Sequence, residues 1–356
     1  MRRTTIVFVG VAVLIALFAR LGPGKITPVT GLIGSEKAAF FADPRVQRAL
    51  QRQGLVVTVE KAGSREIASR PDLKSFDFAF PAGVPAAEKI QREAGVSKSH
   101  SPFFTPMVVA SWRPIADLLV QQGSAANQGS YYTLDVAKFL PLIQNEIRWK
   151  DIPGNSAFPA NKSVLIGSTD ARTSNSAAMY LALMSYVANG NNIVQSLDQA
   201  QPLLPLLSGM FLRQGLRPTS TQEPFEDYLV QGMGHSPIVI IYEAQYVAQL
   251  AKGDGSILPD MVLMYPTPTI FTKHVLIPFT DRGEKLAVAL ETDPELQKLA
   301  VEYGFRNSNL AYFKDFTRRH GVTVPETFVD VIEPPSYEVL EGMIQIIERS
   351  YQGQGG

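Results

Sequence analysis

Apolar and polar positions along the chain fall into a repeated grammar, in which a short apolar run is followed by a polar turn and then by a stretch with apolar residues at helical spacing. Leu55 to Glu60, Phe76 to Phe80, Met107 to Ser111, Val164 to Gly167, Ile238 to Tyr242, Met261 to Tyr265 and His274 to Phe279 are such runs and are predicted as strands. Gly31 to Ser35 reads as the end of an earlier strand and its loop. The helices between them have recognisable ends. Asp43 with Pro44 opens one that Gly54 stops, Pro85 to Ala94 is ended by Gly95, and Arg113 with Pro114 starts one that runs to Gln122. Ser174 to Val187 carries Ala177, Leu181 and Met184 on one face and stops at Asn189-Gly190, and Glu243 to Ala251 is predicted as a helix after the Ile238 to Tyr242 strand. Towards the carboxyl end Asp281 is predicted to cap a helix, Asp293 with Pro294 opens another that ends at Gly304, and Leu340 to Tyr351 is a last amphipathic stretch. Gly63 to Glu66 turns the chain into a helix, and Gly123 to Ser130 reads as a mobile or solvent-facing loop.

Alternation of strand and helix argues for an α/β protein with mostly parallel sheets and helices on their faces, because parallel neighbours require crossover connections. Pro266 and Pro268 mark an extended segment suited to linking two lobes. A length of 356 residues suits two packed domains, and 45% hydrophobic residues supply a core. Lys and Arg number 33 against 33 Asp and Glu, so no overall field attracts a phosphate backbone and nucleic acid is not an expected partner. The absence of cysteine removes disulfides, thiolate metal sites, a cysteine nucleophile and an acylated lipoprotein cysteine.

Arg2 and Arg3 precede an apolar run from Ile6 to Ala19, closed by Arg20 and Gly22-Pro23-Gly24, which is the layout of an export signal or anchor over residues 1–25. Cleavage and retention both remain open. Leu17 falls where a cleavage site wants a small residue, which argues for a retained membrane anchor through residues 4–19, with the arginines on the cytoplasmic side and the rest of the chain extracytoplasmic, in a periplasm or at the cell surface.

Several local phrases, taken in order, resemble the type II extracellular solute-binding proteins of ABC-type import systems. They are Gly34-Ser35-Glu36-Lys37, Gly63-Ser64-Arg65, Gly167 to Ser176, Met264 to Pro268, and Pro294 to Gln297 leading to Gly304-Phe305-Arg306. The resemblance implies the periplasmic-binding-protein type II fold: two Rossmann-like lobes joined by two hinge crossings, near Trp112 and near Tyr265 to Lys273. Residues 26–110 and 270–356 would form one lobe and 111–269 the other. The partners implied are a small polar or anionic solute and an ABC-transporter permease. The missing lipoprotein cysteine departs from the pattern and leaves tethering to the amino-terminal segment.

In open α/β sheets ligands sit beyond the carboxyl ends of strands, so these polar loops are the candidate site. Helix N-termini there offer unpaired N–H groups, and Ser35, Ser64, Thr169, Thr173, Ser174, Asn175 and Ser176 suit close approach by a ligand oxygen, although the same residue types serve as ordinary caps. Lys37, Arg65 and Arg172 suit a carboxylate or oxyanion; Glu36, Asp170 and Glu243 suit an amine or hydroxyls. Asp170 and Arg172 can instead pair with each other. Tyr242 and Tyr265 are candidates to line the cleft, with Tyr265 alternatively packing at the hinge.

Enzyme signals are wanting. His100, His235, His274 and His320 make no metal-ligand spacing, Gly234-His235-Ser236 lacks the rest of a nucleophile elbow, and neither a phosphate loop nor a dinucleotide fingerprint is present. No cofactor is expected. The alternative to a solute binder is a membrane-anchored sensor or assembly protein that uses the same fold for protein–protein interaction.

Overall fold

The computed structural model describes residues 26–215, 222–322, 324–328 and 330–353. The amino-terminal segment read as a signal or anchor lies outside them. Among the described residues no helix is long and apolar enough to cross a membrane.

Among the described residues ten strands are formed: β1 (Thr27–Ile33), β2 (Leu55–Lys61), β3 (Phe78–Phe80), β4 (His100–Trp112), β5 (Ala125–Asn127), β6 (Tyr132–Asp135), β7 (Ile238–Tyr242), β8 (Met261–Thr267), β9 (Thr269–Pro278) and β10 (Val331–Ile332). They hydrogen-bond in the order β2-β1-β3-β9-β4-β8-β6-β5, with β7 also on β4 and β10 on β9. β1 is parallel to β2 and β3, each reached by a helical crossover. β9 then enters antiparallel to β3, and β4 antiparallel to β9.

β4 divides the molecule. Up to Pro106 it pairs with β9, and from Met107 onward it pairs with β7 and β8 instead. The partner change falls upstream of Trp112, at a proline that has no N–H for a ladder. β8 and β9, separated at Pro268, make the second crossing. Two sheet regions thus share two continuous crossing strands, which is the two-lobed α/β architecture expected, with an antiparallel pair of crossings added to the parallel strands.

Local chemistry explains most helix ends. The Asp43 carboxylate accepts from the Arg45 N–H at 2.7 Å, with Pro44 in the first turn of Pro44–Arg52. Asp293 accepts from the N–H groups of Glu295 and Leu296 at the start of Pro294–Glu302. Gly95 ends Val84–Ala94 in the left-handed region at φ 66°. The helix Asn175–Ala188 is buried on nearly every face, as a helix packed between layers must be. The last helix, Tyr337–Gly353, packs on both Leu204–Leu212 and Val84–Ala94, one in each half of the molecule.

Four expectations need correction. The segment Gly123 to Ser130 is not simply a loop: Ala125–Asn127 forms β5, paired antiparallel with β6. Val164 to Gly167 forms no strand, because its backbone bonds are isolated: the Val164 N–H donates to the Ile147 carbonyl, and Gly167 exchanges bonds with Ile238 and Ile240. Thr280, not Asp281, caps Asp281–Thr292, its hydroxyl accepting from the Gly283 N–H at 3.3 Å. β4 begins at His100, since Pro102 and Pro106 hide a strand that pairs there with β9 and, at Phe104, with Arg306.

Candidate functional site

The turns after β1, β2 and β3, the start of Asn175–Ala188 and the end of β7 come together at the seam between the two halves. Gly63 lies so close to the next half that an added Cβ would stand 2.7 Å from the Thr173 carbonyl oxygen. Gly83, at φ 91°, would place one 2.4 Å from Asn175 Oδ1. Asn175 Nδ2 in turn donates to the Tyr242 hydroxyl at 3.1 Å. The Tyr242 ring packs edge-on to His274, with centroids 6.2 Å apart. The sequence segments around 35, 64 and 174 therefore converge on one place, as strand-end turns in α/β proteins do.

At its centre is a buried charged cluster. The Lys37 ammonium donates to Glu36 Oε1 and lies 3.1 Å from His274 Nδ1, with the Phe80 ring centroid 4.8 Å away. Lys37 and His274 are fully buried, while the Glu36 side chain keeps 13% exposure. Burial would raise the Glu36 pKa, but the charge on Lys37 and the neighbouring His274 ring overcome it and hold the carboxyl well below its usual range. Burial lowers the Lys37 pKa, opposed by Glu36. Burial and then the Lys37 charge lower His274 from 6.5 to about 4. At neutral pH the cluster is thus an ion pair beside a neutral imidazole. The ring's Nδ1 lies 3.1 Å from the Lys37 ammonium and 3.3 Å from Glu36 Oε1, and its Nε2 is a buried atom with no partner among the described residues.

The polar stretch ahead of Asn175–Ala188 is closed on itself. Thr169 Oγ1 and Ser176 Oγ are 2.8 Å apart, Ser174 Oγ and Ser176 Oγ 2.9 Å, and all three residues are buried. Asp170 accepts from Nε and Nη2 of the Arg172 guanidinium, the pairing that the sequence left open. The Arg172 guanidinium also sits 5.1 Å from the Tyr351 ring centroid. The Thr173 carbonyl lies on Gly63, and Ser168 Oγ is buried without a partner among the described residues. Ser64 Oγ accepts from the Ala82 N–H at 2.8 Å, fixing the turn after β2 to the turn after β3. Arg65 reaches across the seam, donating to the Ala171 and Arg172 carbonyls, and pairs with Glu341 on the last helix.

Glu243 and Tyr265 sit apart from this group, in a second buried network. Arg306 donates to both Glu243 oxygens at 2.7 and 2.8 Å, and Tyr265 donates to Oε2 at 2.7 Å. Phe313 and Phe328 cover the guanidinium. Tyr265 packs at the crossing, against Tyr131 and Phe328, the second of the two places the sequence allowed it.

Beside the charged cluster opens a cavity of about 850 Å³, walled from both halves. Among the sequence candidates Ser35, Glu36 and Tyr242 line it. Ser35 is exposed, and the rest of the candidates do not line the cavity. Lys61, Gln245, Lys252 and Tyr303 also line it and were not singled out from sequence. A signal existed for Lys61, the last residue of β2, and for Gln245 in the first turn after β7, since both stand at carboxyl ends of strands. Lys252 and Tyr303 reach the cavity through tertiary packing alone. Among the described residues no group of three or more His, Cys, Asp or Glu is placed to hold a metal ion.

This architecture is that of the two-lobed periplasmic binding proteins of type II. Iron-bound HitA from Pseudomonas aeruginosa superposes with a TM-score of 0.57 at 12% identity, over 90% of this chain and 99% of that one. AfuA from Actinobacillus pleuropneumoniae, bound with fructose-6-phosphate, gives 0.53 at 12% identity over 90% and 97%. An ABC transporter solute-binding protein from Thermotoga lettingae, bound with α-D-tagatose, gives 0.53 at 10% identity over 92% and 95%. At such identities the likeness is one of fold. No family model matches the chain, and no curated protein matches it.

Proposed function

We propose that this chain is an extracytoplasmic solute-binding protein whose lobes, residues 26–110 with 270–356 and residues 111–269, close over a small polar or anionic solute and present it to a membrane transporter of the ABC type. The observation that carries the reading is the cavity of about 850 Å³ at the seam, bordered by Ser35 and Glu36 beyond β1, Lys61 at the end of β2 and Tyr242 at the end of β7. Its volume lies in the range of small-molecule sites. Strands continuous between the lobes allow hinge closure without breaking either core. The solved structures of the same fold carry iron, a sugar or a sugar phosphate, which supports binding rather than turnover. Tethering through residues 4–19 belongs to the same proposal and keeps the binder beside its transporter.

Thermal unfolding of the full chain against oxyanions, amino acids, sugars and polyamines tests it. A solute at a hundredfold excess over its Kd stabilises the native state by about 2.7 kcal/mol and raises the midpoint. A flat response across the panel, together with capture of a protein partner, would replace this reading with the sensor or assembly role.

A further inference from the structure

The charges around the cavity narrow the solute class. Glu36, Arg45, Lys61, Lys252, Glu302 and Arg319 line it. Arg45 is held by Asp43 and Glu302, Arg319 by Asp315, and Glu36 by Lys37. Lys61 and Lys252 are different: among the described residues neither has a carboxylate within ion-pair distance, and Lys252 donates only to Gln249 Oε1, at 2.7 Å. They also come from opposite halves. Lys61 is the last residue of β2, and Lys252 follows the helix Glu243–Ala251 that hangs from β7.

We propose, resting on the solute-binding reading, that the cavity takes a hydroxylated organic anion, its anionic group held between Lys61 and Lys252 at the rim and its hydroxyls donating to Glu36 at the more buried end. Empty, the cavity carries two ammonium groups on its wall, one from each lobe, and their like charge disfavours closure. An anion between them reverses the sign and ties the lobes together, so closure depends on the solute. The Glu36 carboxylate meets a bare inorganic anion with like charge, whereas hydroxyl donors satisfy its oxygens. A cavity of about 850 Å³ is also far larger than an inorganic oxyanion requires.

Isothermal titration calorimetry on the full chain decides the matter, with gluconate, a hexose monophosphate, the neutral hexose, inorganic phosphate and a linear diamine as probes. The expected result is binding of gluconate or the hexose monophosphate, at least about tenfold tighter than the neutral hexose or inorganic phosphate, and weakened by added salt. Which of the two binds identifies carboxylate or phosphate as the rim group. Lys61→Gln and Lys252→Gln should each weaken that binding about tenfold, the loss of one charge-assisted bond, while the unfolding midpoint of the empty protein stays in place because both side chains are at the surface. Equal or tighter binding of the neutral hexose, inorganic phosphate or the diamine overturns this inference and leaves the solute-binding reading standing. So does wild-type affinity in both lysine variants. Failure of every probe to bind overturns both.

Discussion

His274 makes the stability of this protein depend on pH in a window where few other groups act. Its ring is fully buried against the Lys37 ammonium, Glu36 Oε1 at 3.3 Å and the Tyr242 ring, and burial together with the Lys37 charge lowers its pKa from 6.5 to about 4. Between those two values the unfolded chain binds a proton that the native state refuses, so stability rises with pH through the window and is lost as pH falls through it. At about 1.36 kcal/mol for each pH unit, the full window is worth about 3 kcal/mol. The Glu36 carboxyl, also lowered, acts in the same direction but only below its ordinary value of 4.5, so pH 5 to 6.5 separates His274 from it. His100 acts oppositely: burial alone would lower its pKa, but Glu291 and Glu284 raise it above 6.5, so its contribution is present at low pH and lost as pH rises. Comparison with His274→Asn, which keeps an acceptor for Lys37, cancels the His100 contribution. Urea unfolding at pH 5.0, 5.5, 6.0 and 6.5 should show stability climbing by about 1 kcal/mol per pH unit more in the wild type than in the variant. Equal slopes in the two proteins would refute a neutral, buried His274.

Two further outcomes follow from the seam and the second network. Arg306→Lys keeps the charge but loses the two-pronged grip on Glu243 and the cover from Phe313 and Phe328; it should cost about 3 kcal/mol or more in chemical denaturation, and a loss under about 1 kcal/mol would show that the network is not stabilising. Arg65→Ala removes the donors to the Ala171 and Arg172 carbonyls and the pair with Glu341, so small-angle scattering of the solute-free protein should report a larger radius of gyration; an unchanged radius would mean that the lobes are held by other contacts.

Features set within a few residues were legible in the sequence. Asp43 with Pro44 and Asp293 with Pro294 start helices because the cap and the bonds it makes are local. The candidate site was legible as a set of turns, because strand-helix alternation forces those turns to the same end of a sheet. Which side chains in those turns remain available was not legible. Ser174, Ser176 and Thr169 form a run of hydroxyls suited to a ligand, yet they lie in mutual hydrogen-bond contact once buried. Glu243 reads as a free carboxylate at a helix start, but Arg306 claims it from 63 positions away. Lys61 and Lys252, distant in sequence, line one cavity only because packing brings the end of β2 and the far end of the helix Glu243–Ala251 to its wall.

What the sequence determined by itself was the order of elements, their caps and the class of fold, since periodicity, proline and short polar side chains act over one or two turns of chain. Tertiary structure alone decided the charge states and the free surface of the site. The Lys37–Glu36–His274 cluster owes its protonation to burial and to charges that β1 and β9 bring together, and an electrostatic environment of that kind is a property of the packed volume rather than of any stretch of residues.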